Sequence, residues 1–492
     1  MVGRKRIPVE ILLLAFAACG PRVELPAEDL SCPDTRVDTR GCDFAVVPPL
    51  HLVPGISSDA GVRRSNWERD GVLVINDGAS DARVQLVEAA DSSRAVNDAE
   101  TLGPGQTRML RLPAGTDAPV SGELTALRLT TDAPVSAVLF APYRSFVGND
   151  SGLLIPANAW GTDYVVSAYA PHGVQFQGLG DPTFFDVVTL EPGVSVRWQP
   201  RLAATAAGGD VGRVEAGAWS PRVQLEPGVA LRVIAERIEA DPHAADVSGT
   251  RIEASGPVFV QSGSRCSAVP IETEPVSGCD PLFEPLAPIS SWGTRYALPH
   301  PPLRSTEQHH FRLFAGRDAM EILVESDGAL EVHALAEKGD FVDLVVPHGA
   351  NVVATAEAPF MPVGLLETRA LPLQVGDPAM YTLPAPERFQ TFQRVATGVE
   401  WSSHWLQVVR ERSDEPLELD GEPVAGWTRF GDFEVVNVEV GEGTYDLASA
   451  QPFGVLQFGW TNEVHDACAP FASQGTCQTS YAHPAGFGVA LE

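Results

Sequence analysis

The sequence predicts an all-β chain built of tandem antiparallel β-sandwich-like modules, and three observations carry that prediction. Short β-branched runs dominate, punctuated by 41 Pro and 45 Gly among 492 residues. No convincing amphipathic helix longer than about ten residues can be drawn anywhere. One phrase, a small or polar pair followed by Pro and an apolar run, occurs four times: TTDAPVSAVLF (130–140), EASGPVFVQSG (253–263), AEAPFMPVGLL (356–366) and SAQPFGVLQFG (449–459). Its prolines, Pro134, Pro257, Pro359 and Pro452, stand 123, 102 and 93 residues apart. Such spacing suits sandwich modules of about 100 residues rather than solenoid repeats of about 20–50.

The first element, residues 1–18, reads as an export signal. Gly3-Arg4-Lys5-Arg6 supplies a basic start and Ile11–Ala18 (ILLLAFAA) an apolar run with small residues at its end. The run is short of the roughly 20 apolar residues a bilayer span needs. Phe16-Ala17-Ala18-Cys19 resembles a bacterial lipobox. That resemblance implies that Cys19 is acylated and becomes the mature N-terminus, and Gly20 after it fits sorting to the outer membrane. An ordinary secreted protein and an uncleaved or mis-assigned start are the alternatives.

Residues 19–48 are expected to form a stalk or linker. With Cys19 lipidated, the other six cysteines fall into near neighbours: Cys32/Cys42, Cys266/Cys279 and Cys468/Cys477. An even set suits disulfides in an oxidising compartment. Each bridge would close a short loop worth roughly 2–3 kcal/mol. The formal net charge is −30, and loss of residues 1–18, which carry Arg4, Lys5, Arg6 and Glu10, leaves about −32. This acid surface repels phosphate backbones and anionic headgroups, which argues against a nucleic-acid partner and limits membrane contact to the lipid anchor.

Four modules follow, at 49–156, 157–288, 289–380 and 381–492. In each, a strand and a Gly-containing turn (LGPGQTRMLRL, LEPGVALRV, VVPHGANVVA, VEVGEGTYDL) precede the Pro-led run, which reads as a hairpin. Pro is tolerated as the first residue of a strand, with a tight turn before it. In the fourth module Val436, Val438 and Val440 alternate with Asn437 and Glu439 before Gly-Glu-Gly, a half-buried strand. NAWGTDYVV (158–166) and SSWGTRYAL (290–298) repeat a phrase 132 residues apart. We read Trp-Gly-Thr-x-Tyr as the opening of a module. Gly permits the bend, and Trp160, Tyr164, Trp292 and Tyr296 supply apolar area at the module junctions rather than a sugar-stacking face.

No sequence motif brings chemistry together. There is no GxSxG elbow, HExxH, Walker loop, GxGxxG or CxxC, so no catalytic residue, metal or cofactor is expected. His309 and His310 read as a surface strand with side chains on opposite faces, and His333 as solvent-facing. The acidic run ERSDEPLELDGE (411–422) does not match a calcium loop and reads as solvated. Asn149-Asp150 reads as a structural Asx turn, and Tyr481 and His483 as structural.

Together the phrases GNDSGLLIPANAWGTDYVVSAY (148–169), GSRCSAVP with GCDPLFEPLAPISSWGTRYAL (263–298), GDPAMYTLPAPERF (376–389), LDGEPV (419–424) and QPFGVLQFGW with SYAHPAGFGV (451–489) resemble the domain family named for the N-terminal part of the IgG Fc-binding protein. Bacterial surface and lipoprotein members carry the same order of phrases. The resemblance covers residue 50 onward. Two departures stand out: His483 replaces another aromatic, and Phe389-Gln390-Thr391-Phe392 takes the place of WGxxY in the fourth module. The resemblance implies an extracellular, disulfide-stapled, repeated β-domain that acts in surface interaction. The expected role is non-catalytic recognition or adhesion of a protein or glycan at the cell surface. Two alternatives are an exported hydrolase acting on glycans, with two carboxyl groups about 5–10 Å apart in one pocket, and an envelope scaffold.

Overall fold

A computed structural model of the chain describes residues 25–26, 32, 38–50, 70–113, 121–141, 149–172, 182–208, 211–236, 245–271, 279–326, 328–368, 375–398, 401–461 and 479–489. The signal segment and Cys19 lie outside the described residues, as do Cys468 and Cys477. Among those described there is no α-helix, and no helix is long and apolar enough to cross a membrane. The fold is all-β.

The strands form four antiparallel sheets in chain order. Each is organised by one long strand: Leu127–Ala141, Arg251–Ser267, Val352–Leu365 and Thr444–Trp460. The first half of the long strand pairs with an opening strand, Gly41–Val46, Gly161–Val165, Gly293–Leu298 or Gln390–Ala396. The second half pairs with a closing strand, Asp150–Leu153, Asp280–Pro285, Met380–Thr382 or Ser480–Pro484. Each half has a further partner. In the second sheet Ser195–Gln199 flanks the first half and Thr183–Val188 the second. The long strand therefore passes from one layer of a sandwich to the other, as corner strands do.

The repeated prolines sit at that passage, in mid-strand. Among the described residues Pro134, Pro257, Pro359 and Pro452 have no partner in any ladder, so their missing N–H costs no ladder bond. The expectation that they begin strands after a tight turn is corrected. The residue after each proline faces Gly41, Gly161, Gly293 or Gln390 across a bulge. The fourth residue after it faces Leu153, Pro285, Thr382 or Pro484. All four sheets thus share one register.

The expected hairpin is also corrected. Phe433–Val440 pairs with Ser403–Glu411 and Thr428–Phe430, and not with the long strand that follows it. Its Gly-containing turn carries the chain across the sandwich instead of back along one layer. The alternation itself holds: Val436, Val438 and Val440 are buried or half-buried while Asn437 and Glu439 are exposed. Alternation assigns faces, not partners.

The four sheets do not stand in a row. Each closing strand lies against the next, and the fourth lies against the first, so the sheets close into a ring. Apolar clusters fill all four junctions. Trp160 packs on Phe259 between the first and second sheets. Trp292 joins Val165, Leu282, Phe314 and Met361 between the second and third. Tyr381 meets Phe458 edge-on at 5.2 Å between the third and fourth. Phe140, Trp401 and Tyr481, with ring centroids 4.9–5.7 Å apart, close the fourth onto the first.

Both ends of the described chain take part in the closure. Thr39 N–H donates to Phe487 O at 3.0 Å, Phe487 N–H donates to Thr39 Oγ1 at 3.0 Å, and Asp38 bridges Gly488. Segment 485–489 therefore leads into Gly41–Val46 as segments 154–160, 286–292 and 383–389 lead into the other opening strands. Gly41–Val46, drawn from the segment expected as a stalk, is an integral strand of the first sheet. The first two sheets also exchange a strand, Gly122–Thr125 adding to the edge at Val229–Ala235.

Candidate functional site

The closing strands carry polar residues in apolar runs: Asp150 and Ser151 in DSGL, Glu284 in DPLFEP, Tyr381 and Thr382 in MYT, and Ser480 and His483 in SYAHP. Ring closure gathers these residues at one place and buries them. Gly152, Glu284, Tyr381 and His483 occupy the same register position. Gly is required at the first of these, because a Cβ there would collide with the Pro285 ring and crowd Phe283.

The hydrogen bonds run between sheets. Asp150 accepts from Ser151 N at 2.8 Å within its own strand, from Phe283 N at 3.2 Å in the second sheet and from Met380 N at 3.2 Å in the third. Glu284 Oε1 accepts from Thr382 N at 3.0 Å and from Thr382 Oγ1 at 2.6 Å, and its Oε2 has no hydrogen-bond partner among the described residues. His483 Nδ1 meets Ser151 Oγ at 2.6 Å and its Nε2 meets Gln457 Nε2 at 3.0 Å. The Gln457 amide donates to Nε2, which places the imidazole proton on Nδ1, toward Ser151. Two carboxyl groups and one imidazole thereby tie the first sheet to the other three or the second to the third.

Burial sets the electrostatics. It pushes Glu284 up to about 8, against the two Thr382 bonds. It holds Asp150 well above the usual carboxylate range despite three N–H donors, with Glu284 adding to the rise. It pushes His483 down to about 3. Glu284 and His483 are neutral at pH 7 because charge is costly where no water reaches. Asp150 is 0% and Glu284 1% exposed. The two carboxyls interact, as a hydrolase pair would, yet no substrate can reach them in this arrangement. The cluster is chemically a lock between sheets.

The other residues singled out from sequence are placed as follows. Trp160 and Trp292 are buried at junctions and make the same bond, indole N–H to the carbonyl five residues back, Ile155 at 2.9 Å and Ala287 at 3.2 Å. Tyr164 and Tyr296 belong to the cores of the second and third sheets rather than to the junctions. Their hydroxyls accept from Gly161 N and Gly293 N at 2.8 Å, and Tyr164 donates to Val258 O at 2.7 Å. In the fourth sheet, without WGxxY, Gln393 stands at the same position and donates to the equivalent carbonyl, Phe453 O, at 3.1 Å. Cys32–Cys42 and Cys266–Cys279 are bonded, with Cα atoms 6.1 and 5.2 Å apart.

Several expectations are corrected. His309 and His310 are buried, not on the surface. His309 Nε2 lies 2.9 Å from the Tyr381 hydroxyl, and burial with the neighbouring His300, His310 and Arg304 charges holds it well below the usual histidine range. His333 is half-buried, while its neighbours Leu330 and Val332 are exposed. Asp150 lies within the closing strand and makes no Asx turn. The acidic run 411–422 is solvated as expected, with each of its carboxylates exposed, although Leu417–Leu419 and Glu422–Pro423 form a hairpin in it and Glu411 pairs with Arg295 at 2.9 Å. Among the described residues no group of three His, Cys, Asp or Glu is disposed to hold a metal ion.

Sequence reading missed Glu284, although one signal was available, a lone carboxylate between Phe283 and Pro285 in an apolar run. It also missed the fully buried pair Arg232–Asp186. The Arg232 guanidinium donates to both Asp186 oxygens and to Pro48 O, each at 2.7 Å, and Gln261 donates to Asp186 at 2.8 Å.

Comparison with known proteins places these features. A family model described as "IgGFc binding protein" matches residues 150–459, from the first closing strand to the end of the last long strand. A human protein named "IgGFc-binding protein" is 26% identical over 306 residues, 60% of this chain. The chain spans about 5% of that protein's length.

Proposed function

The chain belongs to the IgGFc binding protein family, and from that premise we propose that it is an exported recognition protein that binds a macromolecular ligand at the cell surface without catalysis. The observation that carries this reading is the enclosure of the polar cluster. With Asp150 and Glu284 locked away, a ligand meets loops and sheet edges held by a rigid ring, the usual place for recognition surfaces. The family points to a protein ligand. The Fc region named for the human relative is the first probe to try.

In this reading residues 1–18 are the export signal, Cys19 carries the lipid, and the chain joins the first sheet at Leu25–Pro26 and Gly41–Val46. Four modules follow, the first taking in Gly41–Val46 and the third closing at Met380–Thr382. Four loop-bearing ends on one ring allow several weak contacts to act together.

The test is retention of ligands by the full chain, titrated over immobilised IgG Fc and arrays of surface proteins and glycans. Saturable retention of a protein, competed by the same protein in solution, is expected. Turnover of an arrayed glycan with no retained ligand would overturn the reading. Palmitate labelling should mark wild type and not Cys19→Ala; equal label in both would remove the anchor.

A further inference from the structure

One sheet edge is unlike its counterparts. Ala329–Leu335 pairs on one side with Met320–Ser326 and is the outermost strand of the third sheet. The matching edges of the other sheets, Arg94–Ala95, Val223–Gln224 and Glu422–Pro423, are two residues long, and the first is already covered by Leu25–Pro26. Seven residues give an edge of about 23 Å. The sequence ALEVHAL holds no Lys or Pro, and its register is continuous, so of the usual devices that blunt an edge strand it carries only the charge of Glu331.

The edge also presents an apolar face. Leu330 is 60% and Val332 55% exposed, the two largest exposures among bulky apolar side chains of the described residues. Across the ladder they face Glu325 and Leu323, and Ala334 faces Glu321. Glu321 and Glu325 are exposed, as is Glu331 on the edge itself. The chain already uses strand addition internally, at Gly122–Thr125 and at Leu25–Pro26.

We propose that Ala329–Leu335 docks an extended segment of a partner protein that alternates apolar and basic residues, taken up by strand addition. Ladder bonds to this edge, which has no further strand among the described residues, supply affinity; apolar side chains on one face cover Leu330 and Val332, and basic ones on the other face meet Glu331. A second copy of this chain fits less well. It would bring another net charge of −30, and a seven-residue edge falls short of the roughly 20–30 residues a side of a stable interface. The proposal rests on the recognition role above and assigns it a place.

The test uses the full chain and a fluorescent ten-residue peptide of alternating lysine and valine, followed by anisotropy. Wild type should bind it saturably. Methylating the peptide nitrogens on one edge, or combining Leu330→Lys with Val332→Lys, should each weaken binding at least tenfold. Both positions are exposed, and circular dichroism checks that the variant folds. Equal binding of the methylated peptide, equal binding by the double variant, or a wild-type dimer that the double variant abolishes would each overturn the proposal. If the double variant still retains the protein ligand found on the arrays, this site falls and the recognition role stands.

Discussion

Replacing Glu284 with Gln should make the protein more stable at neutral and alkaline pH, by an amount that grows with pH. Burial pushes Glu284 from 4.5 up to about 8 in the folded chain. Between those values the folded state keeps a proton that the unfolded state releases. The stability this contributes is complete below about pH 4.5 and is lost as pH rises to about 8. At about 1.4 kcal/mol per pH unit, the full window is worth at most about 5 kcal/mol. If the ring unfolds as one unit, the average unfolding entropy per residue converts this to about 5 °C in Tm. Gln keeps the shape and the Oε1 that accepts from Thr382, and it carries no charge. The histidines act in the opposite sense. His483, down at about 3, and His309, also lowered, contribute stability above pH 6.5 that is lost as pH falls. Both are common to the two proteins and cancel in the difference. Intrinsic-fluorescence melts at pH 5, 6, 7 and 8 should show the Tm values nearly equal at pH 5 and the variant several degrees higher at pH 8. A difference independent of pH, or one that favours wild type as pH rises, would refute the reasoning.

Other substitutions probe the frame. Gly152→Val drives a side chain into Pro285 and Phe283 at the ring centre and should cost about 1–3 kcal/mol, seen as a lower Tm with Gly152→Ala less affected. Tyr164→Phe strips the buried Gly161 N–H and Val258 carbonyl of their partner; about 1–3 kcal/mol should be lost, measured by urea midpoint. Asp186→Ala leaves Arg232 buried without its carboxylate, a loss of about 3–5 kcal/mol that should appear as reduced soluble yield and an earlier melt.

Much of the frame was legible in the sequence because it is written locally. Alternation around Val436 marks a strand, and the fourfold Pro phrase marks a repeated backbone event. Two aromatics in WGTxY mark buried positions. What alternation does not encode is which strand lies next door, so an arch across the sandwich was read as a hairpin and a mid-strand bend as a strand start. The burial of His309 depends on Tyr381, 72 residues away, and the protonation of Glu284 depends on enclosure by other sheets. Ring closure rests on Phe140 meeting Tyr481 across the whole chain. None of these pairings has a local signature. At His333 the pattern misled, because Leu330 and Val332 face outward on an edge that no further strand covers among the described residues.

The central claim is that four sheets close on themselves rather than extend as beads. Small-angle X-ray scattering of the processed chain tests it most directly. A closed ring should give a radius of gyration of roughly 23 Å, that of a compact body of this length, with a single-peaked distance distribution. A value near twice that, with a long tail of distances, would mean a row of modules and would contradict the account.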